Sequence, residues 1–169
     1  DISEYNNFYK NCFKEYNDPI FHRHFHTESG NWDCHGIFFI PTPNPMNFMG
    51  ERTKEKRNIK LYVRKVLILD QLDKEMLPDW MNFVHGVVDC PDLPLNVSRE
   101  MLQKTSTLRN LKNVIQKQVK TMLSSLKENS EQYTKFYEAH GRNIKLGIHE
   151  GDESLLEYLR IEYDGKTSG

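Results

Sequence analysis

The chain has 169 residues, of which 37% are hydrophobic and 28% charged, with a formal net charge of −1. That length suits one domain, or one domain with a helical extension, and is enough to bury a core without disulfide or metal support. No run is apolar for long enough to span a membrane, since Gly36–Pro41 and Val66–Leu69 are strand-sized, and the near-zero net charge argues neither for nor against a nucleic-acid partner. The first predicted element is a helix over Ile2–Glu15, capped by Ser3, with Tyr5, Phe8, Tyr9 and Cys12 at helical spacing. Asp18-Pro19 closes it. Ile20–Thr27 and Trp32–Ile40, separated by Ser29-Gly30-Asn31, predict a β-hairpin. The prolines at 41, 43 and 45 open a loop carrying Met46, Phe48 and Met49. Ile59–Leu69 reads as one long strand, half-buried at first and then buried on both faces.

Pro78 starts a brief helical stretch with Trp80 and Met81, and Phe83–Val88 is another strand. A loop with two prolines follows, after which Ser98 caps a helix over Arg99–Lys104. Leu108, Leu111, Ile115, Val119, Met122 and Leu126 mark the apolar face of a long helix. Asn129 with Gln132 predicts a capping box for the next helix, which Gly141 and Gly147 interrupt, and Glu153–Arg160 is a short final helix. Mixed strands and helices followed by helices alone predict an α/β or α+β chain with a helical tail. The absence of an initiator Met, the start at Asp1 and the end at Lys166-Thr167-Ser168-Gly169 read as a piece of something longer.

Phosphate-loop, dinucleotide and nucleophile-elbow motifs are all missing, so nothing in the sequence cradles a triphosphate alone. Cys12, Cys34 and Cys90 are odd in number and far apart, which predicts reduced thiols. His22, His24 and His26 alternate on one strand face. With Cys34 across the hairpin from His26 they are either a zinc or copper donor set or ordinary packed and solvated strand histidines. Asp70, Asp73, Glu75 and Asp79 read as a solvated loop and helix start. Two basic stretches, Arg52 through Lys65 and Arg109 through Lys120, are either solvated faces or a surface for an anionic partner. The richest segment is Leu93–Gln103. There a rigid loop enters a capped helix, and Arg99 and Gln103 lie one turn apart, a pairing suited to an incoming phosphate.

That segment, with Gly86-Val87-Val88-Asp89 before it, closely resembles the catalytic-loop motif of the ninety-kilodalton heat-shock chaperones. Asn58–Val66 and Asn143–Glu150 are similar to two more blocks of that family, and Phe8-Tyr9-Lys10 and His24-Phe25 to weaker ones. The resemblance implies a three-layer α-β-α sandwich middle domain followed by a helical extension. It sets residues 1–106 as the large subdomain and 107–169 as connecting helices leading toward a missing small subdomain. It further implies catalytic roles for Arg99, Gln103 and Asn96, toward the γ-phosphate of ATP bound with Mg by a separate N-terminal domain. Client or co-chaperone contacts fall at Tyr16, Phe48, Leu67, Met46 and Met49, and no metal site is implied. Tyr16 and Leu67 depart from the family's residues but stay apolar. The implied partners are client proteins, co-chaperones including an ATPase activator, and the protein's own N-terminal domain, with dimerisation through an absent C-terminal domain and no nucleic acid or membrane. The implied location is intracellular, with a lean toward an organelle matrix. The alternatives are a pure docking module without a catalytic contribution, or a metal-binding module.

Overall fold

The computed structural model describes residues 1–29, 32–43, 58–72, 75–96, 100, 106–160, 162–163 and 166–167. Helix α1 spans Ile2–Phe13. Its cap is Asp1 and not Ser3: the Asp1 carboxylate accepts from the Ser3 backbone N–H, and Glu4 completes a capping box. The helix ends at Phe13, two residues before the predicted end, because Lys14 adopts a left-handed φ of 56°.

The hairpin forms as predicted. Strands β1 (Phe21–Ser29) and β2 (Trp32–Ile40) pair antiparallel, from Phe21 opposite Ile40 to Ser29 opposite Trp32. Strands β3 (Ile59–Val63), β4 (Val66–Leu69) and β5 (His85–Asp89) complete a five-stranded sheet of order β1-β2-β5-β3-β4, in which only β3 and β5 run parallel. Period-two alternation sorts its faces. Phe25, Cys34, Phe38, Ile40, Ile59, Leu61, Val63 and Val88 point into the main core. On the opposite face α1 lays Tyr5 on His22, with ring centroids 4.5 Å apart, and Tyr9 on Phe39, at 5.1 Å.

The expected single strand over Ile59–Leu69 is instead a hairpin, because Arg64 and Lys65 both adopt positive φ, 49° and 67°. Two successive left-handed residues reverse the chain between Val63 and Val66, as a type I′ turn requires. β4 is consequently an edge strand, with Val66 and Leu67 exposed rather than buried on both faces.

Helices α2 (Ser106–Lys127) and α3 (Ser130–His149) cover the core face. Leu111, Ile115, Val119, Met122 and Leu126 are fully buried, and each contributes roughly 1.5–3 kcal/mol of burial free energy. The order of layers is therefore α1, sheet, then α2 with α3, an α/β sandwich in which the long helices share one continuous core with the strands. Asn129 does cap α3 by accepting from the Gln132 N–H, but the Gln132 side chain reaches the Ile20 carbonyl and does not close a box. α3 also runs unbroken through Gly141 and Gly147. The glycines serve close approach: a Cβ on Gly147 would lie 2.3 Å from Leu155 and 2.9 Å from Trp80. Short 3-10 turns at Asp79–Met81 and Glu153–Tyr158 pack against α3. Strands β6 (Glu162–Tyr163) and β7 (Lys166–Thr167) form a separate small ladder.

Beneath α1, His85 is buried among Tyr9 and Phe13. Asn58 Nδ2 donates to its Nε2 at 2.9 Å, which puts the ring proton on Nδ1, an atom with no partner among the described residues. Burial, with a smaller push from His140, lowers its pKa from 6.5 to about 4. The unfolded chain therefore binds this proton more readily than the native state. The stability from keeping His85 neutral is complete above pH 6.5 and is lost as pH falls toward 4, on the order of 3 kcal/mol in all. Urea unfolding at pH 7, 5.5 and 4 should show that fall, and His85→Gln should shrink it. A variant with the parent's full pH dependence would show that His85 is not the group responsible.

Candidate functional site

The segment that leads to Arg99 leaves the end of β5, and its first residues are held from several directions. The Asp89 carboxylate accepts two backbone N–H groups from the β3–β4 turn, from Arg64 at 3.0 Å and from Lys65 at 2.8 Å. Arg64 Nε donates onward to the Pro91 carbonyl at 3.3 Å. Asp92 accepts the Asp33 N–H at 2.7 Å, which ties the loop to the β1–β2 hairpin. Leu93 is buried, and its N–H donates to the Cys90 carbonyl. Leu95 and Asn96 then emerge at the surface.

Cys90 also corrects the expectation of three free thiols. The β2–β5 register sets Asp89 opposite His35, so the next step brings Cys34 beside Cys90, with Cα atoms 4.4 Å apart. The two are joined by a disulfide, and both side chains are wholly buried. A pairing across 56 residues of sequence is set by strand register, which no spacing rule reveals. Cys12 stays a thiol, and burial raises its pKa.

Of the predicted site residues, Asn96 is exposed at the end of the anchored loop. Arg99 and Gln103 lie outside the described residues, as do Met46, Phe48 and Met49. Tyr16, just past α1, is 86% exposed, and Leu67 on β4 is 47% exposed. Beside Tyr62, the strand partner of Leu67, an open cavity of 380 Å³ lies on the α1 face, lined by Phe8, Ile37, Val87, His24 and Asp89 among others. Sequence reasoning missed this cavity, because it needs α1 to cover only part of the sheet. Among the charges singled out in the sequence, Lys60 pairs with Asp70 at 2.7 Å and Lys120 with Asp152 at 2.8 Å. Arg109 is exposed on α2.

The proposed set of three histidines and Cys34 does not converge. Cys34 faces the core opposite Thr27, and the residue opposite His26 is His35. His22 stacks on Tyr5, and His24 Nδ1 lies 3.2 Å from the Tyr5 hydroxyl. His26 instead meets Asp33 and His35.

A sandwich of this build, with an anchored loop running out from its central parallel strand pair to the surface, defines an α/β domain of the three-layer class. The model of the family described as Hsp90 protein matches residues 1–162. Heat shock protein 83 of Leishmania donovani is 44% identical over 161 residues, covering 94% of this chain and 35% of that protein. The chloroplastic heat shock protein 90-5 of Arabidopsis thaliana is 43% identical over 146 residues, 85% of this chain and 19% of that one. Among solved structures, the middle domain of a Plasmodium falciparum heat shock protein superimposes with a TM-score of 0.75 at 28% identity, covering 98% of this chain and 64% of that one. The chain belongs to the Hsp90 family of chaperones and corresponds to its middle domain. It spans about a third or less of the curated relatives' length.

Left-handed conformations at Arg64 and Lys65 cost roughly 1–2 kcal/mol each, against about 1.5–3 kcal/mol for each hydrogen bond to the Asp89 charge. Asp89→Ala should therefore lower unfolding stability by about 2–3 kcal/mol in urea titration. Adding Arg64→Asn and Lys65→Gly, which relieve the turn, should restore part of the loss. An unchanged midpoint in Asp89→Ala would show that the turn stands without its carboxylate.

Proposed function

We propose that this chain is the segment of an ATP-driven chaperone that presents Arg99 to the γ-phosphate of an ATP bound, with Mg²⁺, by a separate N-terminal domain. The observation that carries this reading is the anchoring of the loop. From the Asp89, Asp92 and Leu93 tethers the chain reaches exposed Asn96, with only Val97 and Ser98 left before Arg99 in the sequence. A guanidinium delivered from so short a tether reaches a neighbouring domain with little freedom to lose, which is what stabilising a transferring phosphoryl group demands. In this reading Gln103 and Asn96 supply amide groups beside the phosphate. Closure of the N-terminal domain completes the site and excludes water. The helices from residue 107 onward close the core and also carry the chain toward a small subdomain. The full-length protein dimerises through its C-terminal domain and works inside the cell, in the cytoplasm or an organelle matrix. Arg99→Ala in the full-length protein should cut ATP turnover about a hundredfold with ATP affinity little changed, read by steady-state turnover and nucleotide titration. Unchanged turnover would discard the role.

A second function, docking of client proteins and co-chaperones, is favoured by exposed Tyr16, Val66 and Leu67 and by the open apolar cavity beside Tyr62. Met46, Phe48 and Met49 add adaptable apolar groups in this reading, and the basic stretches suit an acidic co-chaperone such as an ATPase activator. A pure docking module would keep this function alone. The Tyr16→Ser, Leu67→Ser pair should weaken capture of a partly folded client severalfold in a binding titration, without lowering thermal stability, since both side chains are already exposed. Parent-like client binding would remove these residues from the surface.

A further inference from the structure

The tip of the β1–β2 hairpin carries four potential ligands on one face. Strand register places His26 opposite His35 and Glu28 opposite Asp33. Alternation turns all four away from the core, toward the face that α1 leaves open at this end. The two imidazoles stack, with centroids 4.1 Å apart and an interplanar angle of 10°. The Asp33 carboxylate spans their edges. His26 Nε2–H donates to Oδ1 at 2.5 Å, and His35 Nε2 lies 3.3 Å from Oδ2. Glu28 Oε1 lies 3.6 Å from His26 Nε2.

From this convergence we propose that His26, Asp33 and His35 form a binding site for a divalent, imidazole-preferring metal ion of the zinc class. One ligand atom from each residue already lies within 4.8 Å of the other two. A tetrahedral zinc with bonds of about 2.0–2.1 Å separates its ligands by roughly 3.3 Å, so the stacked rings would splay to turn both Nε2 atoms onto the ion. Two neutral imidazoles and a carboxylate are a zinc donor set, and hard cations that want only oxygen fit it poorly. The fourth position is left to water or to Glu28. The Asp33 backbone N–H donates to Asp92 at 2.7 Å, which fixes the strand position that carries the carboxylate. Through Asp92 the ion would brace both the hairpin tip and the loop that leads to Arg99. The site shares no residue with the phosphate-directed loop or with Tyr16, Val66 and Leu67; only His35 also lines the cavity beside Tyr62.

The test is a calorimetric titration of the chain with Zn²⁺ after chelator treatment, with the Cys34–Cys90 disulfide intact, paired with the visible absorption spectrum of the Co²⁺ form. One equivalent should bind, with a Co²⁺ spectrum of tetrahedral nitrogen–oxygen type. His26→Gln with His35→Gln should weaken binding more than about tenfold, and Asp33→Asn comparably. A His22→Gln, His24→Gln, Cys12→Ser control should bind as the parent does. All the altered ligand positions are at least partly exposed, and matching thermal melts without metal would establish that the variants fold. The proposal is overturned if the parent takes up no zinc, or if the double variant binds it unchanged. It is equally overturned if the control loses the site.

Discussion

One carboxylate organises the functional end of this domain. Asp89 closes β5, and its two oxygens capture consecutive N–H groups in the β3–β4 turn. That capture makes a left-handed pair of Arg and Lys tolerable where glycine or asparagine is usual. The same residue fixes where β5 ends, and so where the outgoing loop begins. Cys90, Pro91, Asp92 and Leu93 each add a tether within four residues. The loop is thus secured before it reaches the surface, an arrangement suited to presenting a side chain to another domain at low entropic cost.

The sheet's two faces divide the work. The core face is apolar and complete, closed by α2 and α3, with Phe25 and Phe38 lying over Gly36 and Gly86 where a Cβ would collide with their rings. The other face is only partly roofed by α1. It retains a cavity, an exposed edge strand and the histidine-rich hairpin tip. Incomplete cover on one side of a rigid sandwich leaves room for recognition without weakening the core.

Much of this was legible from residue pattern. The alternation of β1 and β2, the apolar stripe of α2 and the Asn129 cap are local signals, and they appear in the structure at nearly the predicted positions. The readings that changed depended on distant partners. Ile59–Leu69 looks continuous until Asp89 bends it. Gly147 looks like a helix break until Trp80 and Leu155 occupy the space a side chain would take. Cys34 and Cys90 meet through strand order, and His26 finds His35 rather than Cys34 because the register is offset by one residue from the pairing first supposed. For the candidate site, the resemblance carried by Leu93–Gln103 pointed to the family, and the Hsp90 match over residues 1–162 bears that out. The tethers that hold the loop had no local signal in the sequence, since each joins it to a different strand or turn.

The central claim, that the loop after β5 is delivered to a nucleotide held by another domain, is most directly tested by distance. A nitroxide at exposed residue 95 in the full-length protein, with Mn²⁺ replacing the Mg²⁺ of a bound non-hydrolysable ATP analogue, reports proximity through paramagnetic relaxation. The account predicts strong relaxation enhancement with the triphosphate analogue and little with the diphosphate. Equal and weak enhancement with both nucleotides would contradict it.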